Sequence, residues 1–160
     1  MGLSALGIFH TAIGVIAIIS ATVSYVRFGK IDLSKSVGKI YFYFTLITSL
    51  TALGLSKHGG FNPGNALSII VIISVAAAYF LFAKRTGNTR ARYWENFFLS
   101  FSFFLSMIPT TNETLTRIPV GHPFASSPAD PLVANSLLVI LIVFVMGSVY
   151  QFLQQRQLNN

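Results

Sequence analysis

Cysteine is absent from the 160 residues, which excludes disulfides, thiolate metal ligands and thiol nucleophiles and leaves the redox compartment open. Charge is scarce as well. Only 9 % of residues are charged, against about 25 % in soluble domains. Acidic residues are scarcest: Asp32, Glu95, Glu113 and Asp130 stand against 11 Lys and Arg. The first ten residues, MGLSALGIFH, carry no basic residue, which argues against a cleaved signal peptide. Leu6 stands where a myristoylation motif requires Ser or Thr. No Ser-His-Asp order, phosphate loop or dinucleotide fingerprint occurs, so the chain carries no enzyme motif and leans away from catalysis.

Hydrophobic residues fill the space these leave, at 53 % of the chain, and they come in runs of membrane-spanning length. About 20 residues at 1.5 Å rise cross a hydrocarbon core about 30 Å thick. Five runs meet or approach that length: residues 3–26, 40–56, 66–83, 93–109 and 132–153. The expected fold class is therefore all-α, a polytopic transmembrane helix bundle of five spans in a single domain.

The net charge of +7 would suggest nucleic acid only if it formed a surface on a soluble domain. Here the basic residues sit in loops between apolar runs, so no nucleic-acid partner is expected. Residues 27–39 hold Arg27, Lys30, Lys35 and Lys39, residues 84–92 hold Lys84, Arg85, Arg90 and Arg92, and Arg156 lies in the tail. Only Lys57 and Arg117 fall on the other side. Positive loops stay in the cytoplasm, which predicts the N-terminus outside and the C-terminus inside. All six tyrosines and Trp94 fall at or near the cytoplasmic span ends, where amphipathic rings favour the interface. The expected partners are the lipid bilayer and either other membrane subunits or further copies of the chain.

Lipid gives helices no hydrophobic reason to associate, so tight seams use small residues. Gly7, His10, Gly14, Ala17, Ala21 and Ser24 recur at steps of three and four and predict the inward face of the first span. Gly38, Tyr41, Thr45, Thr48 and Ala52 form a matching face on the second, and Glu95, Leu99, Ser102, Ser106 and Pro109 a stripe on the fourth.

Residues 110–131, the one long polar segment, are expected to form an ordered outer segment. They carry Glu113, Arg117, His122 and Asp130. Together with His10, an ionisable residue inside a span, the residues Glu113, Arg117 and His122 are the ligand-binding candidates. His10 is either a metal or haem ligand, a proton carrier, or a neutral ring whose hydrogen bond fixes helix register. His10, His58 and His122 share the outer side and form the candidate metal set for a transition metal, although no two have a local ligand spacing. Haem between His10 and His58 is the other cofactor reading. Glu113 and Arg117, four apart, would pair on a short helix, and Glu95, beside Arg92, is expected to form an ion pair with it or to act as a helix N-terminal carboxylate. The functional expectation is an accessory or scaffold subunit, or a small-ligand-binding bundle with a polar outer cluster. A haem- or metal-binding redox protein is the alternative, and a small-solute transporter the third.

His10-x3-Gly14, the stretch Val37-Gly38-Lys39-Ile40-Tyr41 and His58-Gly59-Gly60 resemble a family of small bacterial integral membrane proteins carrying a domain of unknown function. Ile108-Pro109-Thr110 running into Asn112-Glu113-Thr114-Leu115-Thr116-Arg117 is similar to some members. The resemblance spans most of the chain. It implies a polytopic topology in a bacterial cytoplasmic membrane and no particular reaction. Members often carry a His before the Gly-Lys/Arg-x-Tyr stretch and another before the fourth span. This chain has Lys35-Ser36 and Thr89-Arg90-Ala91-Arg92 there, so no role resting on those histidines carries over.

Overall fold

The computed structural model describes residues 4–55 and 62–158, and all regular structure among them is helical. The helices are α1 (Ala5–Phe28), α2 (Ser36–Leu53), α3 (Pro63–Ala83), α4 (Thr89–Arg117) and α5 (Pro131–Leu158). Each start has a local cause. The Ser4 hydroxyl accepts from the Gly7 N–H at 3.1 Å, Asn62 Oδ1 accepts from Asn65 N–H at 3.0 Å, and Asn88 Oδ1 accepts from Ala91 N–H at 3.1 Å. These are N-caps that satisfy otherwise orphaned backbone donors. Pro63 adds the preset φ of a first helical position. α1 ends at Gly29, whose φ of 68° is the left-handed cap geometry that glycine adopts without strain.

Three helices, Ala5–Phe28, Pro63–Ala83 and Pro131–Gln157, are long and apolar enough to cross a membrane. α2 and α4 are more polar, because they carry the tyrosine, threonine and serine hydroxyls and the Glu95 carboxylate that point inward. The surface agrees with a lipid solvent. Ile8, Ile19, Ile73, Val143, Met146 and Val149 are all at least half exposed. A water-soluble monomer rarely tolerates such continuous apolar area, whereas hydrocarbon accepts it freely.

α4 differs most from the expected span. It begins at Thr89 and runs through Pro109 to Arg117, so the first part of the outer polar segment continues the helix. Proline removes one backbone donor, which leaves the Leu105 carbonyl without its usual helical partner. Around it Ser106 donates to Ser102 O at 2.9 Å and Thr110 to Ser106 O at 2.8 Å. α2 likewise starts at Ser36, inside the basic stretch. Charge ends a hydrophobic run without ending a helix.

The helices pack in chain order, each on its neighbour. The small-residue face of α1 points inward: Gly7, Ala17, Ala21 and Ser24 are buried, and Gly38, Tyr41 and Thr45 are buried on α2. The α1–α2 turn is tucked in as well, with Ile31 and Leu33 joining Ala21, Tyr41, Val75 and Leu99 in the core. α5 packs on α4 through Phe144, whose ring lies 4.9 Å from Phe104 and 6.0 Å from Phe101.

Gly38 marks the tightest backbone approach, since a Cβ there would stand 2.0 Å from the Asp32 carbonyl oxygen. The same atom on Gly14 would meet the Thr48 methyl at an ordinary 3.4 Å. Gly38→Ala is therefore expected to destabilise the protein by about 2 kcal/mol or more, because backbone must move, while Gly14→Ala stays close to wild type. Thermal melting of both variants in detergent checks the contrast.

Candidate functional site

Sequence placed its candidate site at the end of the bundle near Glu113, and the residues there divide into separate local structures. His10 is partly buried on α1, and its Nδ1 lies 3.1 Å from both Thr48 O and Thr51 Oγ1 on α2. Thr51 already donates to Thr48 O at 2.9 Å, and a carbonyl only accepts. Nδ1 therefore carries the proton, shared between the two oxygens, and a neutral ring keeps its lone pair on Nε2. Glu113 lies within electrostatic range of His10, but its contact is with Arg117, at 2.6 Å across one helical turn. Both side chains of that pair are about half exposed.

His122 stands exposed in the turn that follows Pro119, its N–H donating to Pro119 O at 3.1 Å. His58 lies outside the described residues. Among the described residues, no three His, Asp or Glu side chains gather as a metal cluster. The rest of the polar segment folds back on the α4–α5 junction. Ala125 N–H reaches Leu115 O at 2.9 Å, and Asp130 Oδ1 accepts from Leu132 N–H at 2.9 Å at the start of α5. That N–H and the Ser126 N–H and hydroxyl hold the exposed Asp130 carboxyl below the usual carboxylate range.

The densest polar structure lies at the opposite, basic end, where Glu95, Tyr41 and Ser102 belong to the faces expected to point inward. Glu95 is 1 % exposed. Its Oε1 takes Arg85 Nη1 at 3.2 Å, and the same guanidinium nitrogen lies 3.8 Å from Asp32 Oδ1. The expected Arg92 partner instead donates from Nε to the Arg85 carbonyl at 3.3 Å. The pairing differs because Glu95 faces the bundle interior, where the α3–α4 turn delivers Arg85, while Arg92 points outward. The Phe82 ring lies under the guanidinium at 4.2 Å.

Beside this cluster the tyrosines bridge helices. Tyr25 on α1 donates to Ser100 on α4 at 3.0 Å, Ser100 donates to Gln151 Oε1 on α5 at 3.0 Å, and Gln151 Nε2 donates to Gly29 O at 3.0 Å. Tyr41 on α2 bonds Ser102 on α4 at 2.7 Å. Both phenols are used inside the bundle, whereas Tyr43, Tyr79, Tyr150 and Trp94 are each more than half exposed. A buried serine at the matching level of α4 makes the difference. Sequence offered one signal for it, the serines at 100, 102 and 106 in an otherwise Phe-rich stretch.

Comparison with family models, with curated proteins and with solved structures finds no match for the chain. The chemistry is thus read from the site alone. Every acid and hydroxyl named at the basic end is matched to a donor or acceptor on a different segment, which is an arrangement for holding helices in register.

Removing one partner of a buried pair strands the other, at about 3–5 kcal/mol when burial is complete. Arg85 is 25 % exposed on its side chain, so Arg85→Gln is expected to cost about 2–3 kcal/mol, with much of it recovered in the Arg85→Gln/Glu95→Gln double variant. A double-mutant cycle on detergent melting measures this coupling.

Asp32 gives a pH dependence. Partial burial opposes its ionisation, but hydrogen bonds from Ser34 and the charges of Lys30 and Arg85 outweigh it and hold the carboxyl below its ordinary 3.8. A folded value below the unfolded one contributes stability that is complete above the unfolded value and lost as pH falls through the folded one. The melting temperature should therefore drop below about pH 4, and Asp32→Asn should remove part of that acid step in a pH series of melts.

Proposed function

We propose that this chain is a non-catalytic helix bundle of a bacterial cytoplasmic membrane, five spans with the N-terminus outside and the C-terminus inside, serving as an accessory or scaffold subunit. The observation that carries the reading is that most buried polar groups are spent on one another, with the Thr45, Thr48 and Ser148 hydroxyls and Asn112 Oδ1 the exceptions among the described residues. Glu95 is taken by Arg85, Tyr25 by Ser100, Tyr41 by Ser102, and His10 by Thr48 and Thr51. A scaffold needs such internal pairing to specify one packing in lipid, where apolar contact alone is indifferent. A transport path needs polar groups free to exchange with solute. The family resemblance of His10-x3-Gly14 and Val37 to Tyr41 supports the same membrane and assigns no reaction.

A haem- or metal-binding redox protein is the rival reading. It rests on His10, whose Nε2 keeps a lone pair when Nδ1 donates to Thr48.

One preparation tests both. Purified in mild detergent, the protein is expected to carry a co-purifying membrane polypeptide and to show neither a Soret band nor a stoichiometric metal. The absence of cysteine makes the topology equally accessible. Single cysteines at Ser34 and Thr86 should label only from the cytoplasm, and one at Ser127 only from outside. A Soret band would replace the scaffold reading with the redox one, and reversed labelling would overturn the orientation.

A further inference from the structure

The basic end holds a partly open cavity of about 100 Å³ between the C-terminal ends of α1 and α5 and the first turns of α4, lined by Phe28, Lys30, Asn96, Gln151, Gln154 and Gln155. Two of its groups are unspent. Asn96 is 6 % exposed, and among the described residues its side-chain amide makes no hydrogen bond within the protein, so its donors are open to the cavity it lines. Lys30 is half-buried and makes no ion pair among the described residues. Its charge acts on Asp32 and Glu95, but Arg85 is the cation in contact with both carboxylates.

Gln151 is engaged through both its amide atoms, Nε2 donating to Gly29 O and Oε1 accepting from Ser100. It locks α5 to the end of α1 and so fixes the cavity wall. What remains facing the space is one ammonium and amide donors, beside an apolar edge from Phe28. A compact anion rich in acceptor oxygens satisfies that set. The space suits one oxyanion better than a whole metabolite. Its setting, among the basic loops at the end of apolar helices, is where anionic headgroups concentrate.

We propose that this cavity binds a phosphate oxyanion, with Lys30 and Asn96 as its direct donors, supplied either by a phospholipid headgroup or by free phosphate. This goes beyond the scaffold reading and stands whether or not a partner subunit co-purifies.

The test is thermal melting of the full chain in dodecyl maltoside with dioleoylphosphatidylglycerol, with dioleoylglycerol, which has the same chains and no phosphate, or with inorganic phosphate at matched ionic strength. The phosphate-bearing lipid is expected to raise the melting temperature by about 5 °C or more near saturation, and dioleoylglycerol to leave it unchanged. Lys30→Gln and Asn96→Leu should each lose most of that shift. An equal response to inorganic phosphate assigns the site to the free anion, and a response to the lipid alone assigns it to the headgroup. If Asn96→Leu fails to fold by circular dichroism, Lys30→Gln decides. No shift from either phosphate source, or a full shift retained in Lys30→Gln, overturns the proposal.

Discussion

Arg85 is the interaction on which the basic end depends. It is delivered by the turn between α3 and α4 and lies against Glu95 on α4 and Asp32 in the turn between α1 and α2. One guanidinium thereby ties together segments more than fifty residues apart. Each carboxylate is costly to bury alone, and each is acceptable only because the other elements have already assembled around the cation. The pairing makes the correct packing mutually conditional. In lipid that matters more than in water, since misregistered apolar faces lose little.

The tyrosine bridges extend the same logic away from the charges. Tyr25 and Tyr41 reach past the small-residue faces of α1 and α2 to serines on α4. The small residues let backbones come close, and the long phenols span what the backbones leave between them. At the Glu113 end the only interhelical polar link of this kind among the described residues runs from His10 on α1 to Thr48 and Thr51 on α2. The Glu113–Arg117 pair lies within one helix and is half exposed. The two ends of the bundle are thus built differently, one interlocked through charge and the other through a single imidazole.

The helical composition, the inward seam of α1 and the helix-turn pairing of Glu113 with Arg117 were all legible, because each depends on periodicity within a few turns. The four acids and eleven bases were equally visible, but their partners were not. Arg92 is three residues from Glu95 and sequence proximity favours it, yet Arg85 takes the carboxylate because the helix turns Glu95 inward. Tyr25 and Tyr41 were read as members of an interfacial ring by their position at span ends. Whether a phenol points to headgroups or across the bundle is set by what the facing helix presents at that height. The fourth apolar run ends at residue 109, while α4 continues through Pro109 to Arg117, because polarity ends a hydrophobic run without ending a helix.

Sequence by itself determined that this chain is a set of long, largely apolar helices with basic residues gathered in two of the connections, since run length, small-residue spacing and charge position are all local properties. The tertiary structure decided where its polar chemistry gathers. It drew the buried cluster to the basic end, around Arg85, and left Asn96 unpartnered beside Lys30 and a small cavity, while the conspicuous polar segment after α4 folded back on its own helix junction. That choice belongs to tertiary structure because a buried polar group is stable only against a specific partner, and here the partners come from elements far apart in the chain.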